Sequence, residues 1–137
     1  VTQGDVVFDR VHFRYEEGGG GIEEMSIAVQ PGQKVALVGH SGGGKSTAFQ
    51  LLLRFYEVQQ GAIRIDGQDI RSVTLSSLRQ SIAFVPQETM LFDDTVANNI
   101  AYGRLDATSE EIQAAARAAA AEEFILRLPE GYDTMIG

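Results

Sequence analysis

The chain has 137 residues, 44% of them apolar, enough for one domain with a real core and too many for a disordered chain. It holds no cysteine and only two histidines, His12 and His40, which excludes a disulfide framework or a thiolate metal site and leaves a poor set of zinc ligands. With 11 basic against 19 acidic residues the net charge is −8, which a phosphodiester backbone or an anionic lipid surface repels, so no nucleic acid is expected as a partner.

Val11, Phe13 and Tyr15 alternate with His12 and Arg14, the pattern of a half-buried strand. Gly18 to Gly21 interrupt it as a loop, and Met25, Ile27 and Val29 resume period two up to the Pro31-Gly32 turn, so this part is expected to be antiparallel. Val35 to Val38 is a continuous apolar run, which predicts a strand covered on both faces in a parallel sheet. Phe49, Leu52, Leu53 and Tyr56 then fall on one stripe of an amphipathic helix. Ile63 and Ile65 predict a strand ending at the Asp66-Gly67 turn, Thr74 caps a short helix, and Ile82 to Val85 predict another strand. Thr108 with Glu111 fits a capping box ahead of an alanine-rich helix reaching Ala121, and Pro129-Glu130-Gly131 ends a further short helix. No apolar run approaches the roughly 20 residues that cross a bilayer, and Val1 to Tyr15 has no signal-like core, so the chain reads as soluble and cytosolic. The sum is a mixed α/β domain with an antiparallel part and a helical part.

Gly39-His40-Ser41-Gly42-Gly43-Gly44-Lys45-Ser46 satisfies G-x-x-x-x-G-K-[ST] and lies between an expected buried strand and an expected helix. Glycines let consecutive amides curl inward, and the helix that follows brings its positive dipole end to the same place, so a phosphate fits there. Lys45 adds a full charge for the β and γ phosphates, and the Ser46 hydroxyl suits magnesium. A glycine-rich turn matching by accident is the alternative, and the flanking elements argue against it. Residues 25 to 87 carry +3 while the rest of the chain sums to −11, a local basic island of the kind a small anion requires. Lys34 and Lys45 are the only lysines, so the lysine-containing motif that reads guanine in small GTPases is absent.

Several stretches together resemble the nucleotide-binding domain of ATP-binding cassette (ABC) transporters, exporter branch of lipid and multidrug half-transporters. They are Val11 to Tyr15, Gly39 to Thr47, Gly61 to Ile70, Val85-Pro86-Gln87-Glu88, Leu91 to Val96 with Asn99-Ile100, and Leu128 to Thr134. The resemblance runs nearly end to end. It implies an α/β fold of the P-loop NTPase type, ABC ATPase variety, with an N-terminal antiparallel β part and the beginning of a helical subdomain. Residues 1–86 would be the β part and phosphate-loop core, and 87–137 the Q-loop and helical part. It implies ATP and Mg2+ as cofactors, with Gly39, Ser41, Gly42, Gly43, Gly44, Lys45, Ser46 and Thr47 around the phosphates. Tyr15 would stack on adenine, for which an aromatic face suits, against the plainer reading that it completes the apolar side of a strand. Gln87 would be the Q-loop glutamine, touching magnesium and the attacking water and, with Lys45, counted as catalytic; Ser46 and Gln87 would be the metal ligands.

The resemblance also implies what lies elsewhere. Signature, second magnesium-binding strand and catalytic glutamate come later in the family, so the chain is expected to be an incomplete ATPase domain, hydrolysing little alone. Its partners would be a second nucleotide-binding domain and a transmembrane domain, at the cytoplasmic face of a membrane. A non-transporting ABC-type ATPase or a regulatory ATP-binding module is the alternative, and the Leu128 to Thr134 and Asp94-Thr95-Val96 stretches favour the exporter. Asp93 and Asp94 are not taken as magnesium ligands, Arg54, Arg71 and Arg79 are expected to be solvated or paired, and His40 is not expected to be catalytic. Gly18 to Gly21, Glu23-Glu24 and Val58 depart from the family pattern, which bears on adenine contacts more than on phosphate contacts.

Overall fold

Two long strands, β1 (Val6–Arg14) and β2 (Gly21–Val29), form an antiparallel hairpin around the glycine loop. The computed structural model describes residues 2–40 and 44–137, and Ser41, Gly42 and Gly43 lie outside the described residues. It divides into two units, Val1–Ala83 and Phe84–Gly137.

In the first unit β3 (Gln60–Ile65) pairs antiparallel with β1, and β4 (Gln68–Asp69) with β3, giving the order β2-β1-β3-β4. A bulge reverses the parity of β1. Its register with β3 breaks between Asp9 and His12, Arg10 takes φ 47°, and opposite it Gly61 takes φ 81°. A Cβ on Gly61 would meet the Asp9 and Arg10 carbonyl oxygens at 2.4 and 2.2 Å, so only glycine fits. Before the bulge Phe8 faces the core; after it Val11 and Phe13 do. The alternation therefore marks only the second half of a strand that begins at Val6.

Helix α1 (Lys45–Leu52) packs Ala48 and Leu51 into the core of this sheet; Thr47 is buried too, as is Leu53 just past the helix end. Half of the expected stripe is corrected: Leu53 is buried and Leu52 half-buried as expected, but Phe49 and Tyr56 are 46% and 44% exposed, and Thr47, Ala48 and Leu51 are buried instead. Asp66 (φ 50°) and Gly67 (φ 77°) form the two-residue turn between β3 and β4, both left-handed as a type I′ hairpin demands. Helix α2 (Leu75–Gln80) is capped by Thr74, whose hydroxyl accepts from the Ser77 amide at 3.2 Å.

Two expected strands, Val35 to Val38 in a parallel sheet and Ile82 to Val85, are absent among the described residues. Val35 to Val38 forms no ladder, with Val35 47% and Val38 89% exposed, and Ile82 to Val85 likewise, with Val85 86% exposed. The sheet is antiparallel throughout, with β2 and β4 at its edges, and neither run pairs with it. Apolar continuity marks what such a segment can bury, and pairing needs a neighbour.

The second unit holds β5 (Asp94–Thr95) paired with β6 (Met135–Ile136), and α3 (Val96–Ala101), α4 (Ser109–Ala118) and α5 (Glu122–Leu126) around Val96, Ala116 and Ile125. The Thr108 capping box is present. Helix α4 stops at Ala118, short of Ala121, because Ala120 turns left-handed (φ 56°) and sends the chain into α5. The Asp94 carboxylate accepts from the Thr95 amide and from Asn98 Nδ2, each at 2.7 Å, and the Asn98 bond first, then the amide, lowers its pKa.

Candidate functional site

The glycine loop delivers the chain into α1 through Gly44, which sits at φ 84° as the helix N-cap and offers no side chain to it. A Cβ there would stand 2.9 Å from the Gly21 carbonyl oxygen and 3.1 Å from Ile22 Cγ1, so the start of β2 leaves no room for a side chain at Gly44. The helical ladder begins with the Ala48 amide on the Gly44 carbonyl at 3.0 Å. The Lys45, Ser46 and Thr47 amides come before it, in the turn where helices leave donors unmet. No acidic residue lies in that turn.

Lys45 Nζ folds over the loop, donating to the Gly39 carbonyl and, at 2.8 Å, to the His40 carbonyl. Its ammonium is held at the loop by bonds a stronger acceptor can replace. Ser46 is exposed and Thr47 is buried, 5% accessible. The Thr47 hydroxyl lies 3.0 Å from the Tyr15 hydroxyl, so its side chain is engaged with the aromatic. Tyr15 follows β1 directly and is half-buried, its ring edge-on to Phe13 at 4.9 Å and to Tyr56 at 5.2 Å between centroids.

The structure thus brings Tyr15, Gly39, Gly44, Lys45, Ser46 and Thr47 together in the first unit. Gln87 belongs to the second unit, at an exposed bend. Ser41, Gly42 and Gly43, assigned to the phosphates by the sequence, lie outside the described residues. His40 is exposed and contributes its carbonyl. Arg54 binds Glu57 and the Ile70 and Val73 carbonyls, Arg71 pairs with Asp69, and Arg79 binds the Leu53 and Arg54 carbonyls, so all three hold local structure. Sequence reasoning missed Gln50, whose Oε1 accepts the Tyr15 hydroxyl at 2.7 Å. The signal was its i+3 spacing from Thr47 on the helix.

An antiparallel sheet leading through a glycine loop into an uncapped helix, with a helical unit after it, is the build of an ABC-type ATPase domain. The family model described as ABC transporter matches residues 22–134, and the chain belongs to that family. It is 56% identical over 135 residues to ATP-binding cassette sub-family B member 6 of Rattus norvegicus, covering 98% of this chain and 16% of that protein. It is 52% identical over 137 residues to the heavy metal tolerance protein of Schizosaccharomyces pombe, covering 100% and 16%. Among solved structures, a bacterial Atm1-family ABC exporter with ATP bound superposes with a TM-score of 0.91 at 49% identity, over 100% of this chain and 24% of that one. The chain therefore spans about a sixth of the length of these curated relatives. Among the described residues no helix is long and apolar enough to cross a membrane.

Proposed function

We propose that this chain is the nucleotide-holding part of an exporter's ATPase domain: it binds Mg-ATP, and in the longer dimeric protein hydrolysis drives export across a membrane. The observation that carries the reading is the start of α1, where Gly44 leaves the helix uncapped by any side chain while Lys45 hovers over the same loop. A triphosphate supplies the acceptors those first-turn amides lack and outcompetes two neutral carbonyls for the ammonium.

In this reading Lys45 exchanges the Gly39 and His40 carbonyls for β and γ phosphate oxygens. Gly39, Ser41, Gly42, Gly43, Gly44 and the Ser46 and Thr47 amides line the phosphates, and the half-buried Tyr15 ring offers adenine a platform. Ser46 and Gln87 would hold the magnesium, which neutralises charge building on the transferred phosphoryl group. Gln87 would orient the attacking water and pass the state of the site to a membrane domain. Residues 1–86 form the β part and phosphate core and 87–137 the Q-loop and helical part. The base that accepts the water's proton and the signature that closes over the nucleotide come from sequence outside these residues and from a second nucleotide-binding domain. The assembly sits at the cytoplasmic face of its membrane.

Equilibrium titration with Mg-ATP tests this. Lys45→Ala is expected to weaken binding about 100-fold, the loss of charge-assisted bonds worth on the order of 3 kcal/mol in total. Chelating magnesium is expected to weaken it as well. Unchanged affinity in the Lys45→Ala chain overturns the assignment.

A further inference from the structure

Tyr15 is badly placed to hold itself still. It lies between the last residue of β1 and a loop carrying four glycines, Gly18 to Gly21, and its own amide makes one long bond, 3.4 Å to the Gly20 carbonyl. An aromatic at the lip of so permissive a loop has rotamer freedom to lose before it can serve as a stacking platform.

What fixes it is α1. The phenol has a single proton, given to Gln50 Oε1 at 2.7 Å, so at the 3.0 Å contact with Thr47 the threonine hydroxyl is the donor. Thr47 and Gln50 stand one helical turn apart on the same side of α1. Phe13 and Tyr56 close on the ring edge-on, with interplanar angles of 88° and 89°. The ring is therefore tied at its hydroxyl end to the same short helix whose first turn faces the phosphates. One rigid element sets the span from phosphate loop to aromatic.

We propose that Gln50 is a positioning residue for the nucleotide base: by accepting the Tyr15 hydroxyl it orders the ring on α1, so the gain in affinity that a base adds to a triphosphate depends on Gln50. This rests on the reading of the α1 start as a triphosphate site and of Tyr15 as the base platform. Thr47 shares the tether but also belongs to the phosphate loop, so Gln50 is where the two roles separate.

The experiment compares the affinity of the chain for Mg-ATP with that for Mg-tripolyphosphate, in the wild type, Gln50→Met, Gln50→Glu, Tyr15→Phe and the Gln50→Met/Tyr15→Phe double variant. The ratio of the two affinities isolates the base. Losing one neutral hydrogen bond is expected to lower that ratio roughly 3- to 10-fold in Gln50→Met, and at least as much in Tyr15→Phe, which also gives up the bond from Thr47. The double variant is expected to fall no further than Tyr15→Phe, because that change already removes the bond Gln50 accepts. Gln50→Glu keeps the acceptor, and its added charge weakens both ligands alike, so its ratio stays near that of the wild type. A general packing defect would lower both affinities together and leave the ratio unmoved, which overturns the proposal, as does an additive double variant or a Gln50→Glu ratio that falls like that of Gln50→Met. Tyr15→Phe, the mildest change, keeps the test open should Gln50→Met fold poorly. A wild type that binds neither ligand defeats the triphosphate reading and this inference with it; one that binds both equally leaves the triphosphate reading standing and defeats the inference alone.

Discussion

Helices α1 and α4 begin in opposite ways. Helix α4 satisfies itself: the Thr108 hydroxyl accepts the Glu111 amide at 3.3 Å, the Glu111 carboxylate accepts the Thr108 amide at 2.8 Å, and two acids, Glu110 and Glu111, complement the dipole. Helix α1 has a glycine at its cap, no side-chain cap bond and no acid in its first turn. One helix has spent its N-terminal field on its own side chains, and the other leaves its field unmet by any side chain of its own. In the proposed reading a triphosphate meets the start of α1, whereas the start of α4 serves structure alone.

Of the changes that set the two helix starts against each other, straining the uncapped one is expected to give the largest effect. Gly44→Ala forces a left-handed alanine, at roughly 1–2 kcal/mol, and drives its Cβ to 2.9 Å from the Gly21 carbonyl oxygen, which a backbone atom cannot cheaply avoid. We expect Mg-ATP affinity to drop roughly 5- to 30-fold, that backbone cost expressed as binding. Gly19→Ala is the control, since a Cβ there meets nothing within 4 Å. Equal affinities for the two variants in the same titration would show that the left-handed conformation of Gly44 is irrelevant to binding.

The capped start should respond in stability and not in ligand affinity. Thr108→Ala removes the acceptor for the Glu111 amide, which costs about 1 kcal/mol. Denaturant unfolding followed by helix signal is the measurement, with Mg-ATP titration alongside. A Thr108→Ala chain of undiminished stability, or one with impaired nucleotide affinity, would erase the distinction between the two helix starts.

How legible these two starts were in the sequence differs for physical reasons. The capping box is local chemistry over four residues, Thr108 to Glu111, so spacing alone placed it. The phosphate loop was equally plain as a motif, yet the partners of its helix were not: Tyr15 meets Thr47 and Gln50 across more than thirty residues, and no periodicity announces such a contact. The same holds for Asp66. The sequence offered it as a turn residue, while its carboxylate also accepts the amides of Thr2, Gln3, Gly4 and Asp5, bonds that pull its pKa to about 2. Val35 to Val38 and Ile82 to Val85 failed the other way, since an apolar run reports burial capacity and says nothing of a neighbour to pair with. The early half of β1 was lost because a bulge at Arg10 and Gly61 reverses the parity that alternation relies on.

The smallest expected effect is in acid, and it separates the two helices by sign of charge. The Thr108 amide, chiefly, and then the Arg104 guanidinium hold the Glu111 carboxyl below its ordinary value. A group whose pKa is lower folded than unfolded stabilises the fold above the unfolded pKa, and that contribution fades as pH falls through the folded one. Acidification from about pH 5 should therefore loosen the start of α4, reported by the Thr108 amide resonance moving with the Glu111 carboxyl titration. Glu111→Gln should abolish that movement, because a neutral amide keeps the acceptor oxygen but has no proton to gain in this range. Helix α1 has no acid in its first turn, so its opening amides have no carboxyl of their own to report. A Thr108 resonance that still titrates in Glu111→Gln would place the responsible charge elsewhere and remove the electrostatic half of the contrast, leaving only the difference in hydrogen bonding.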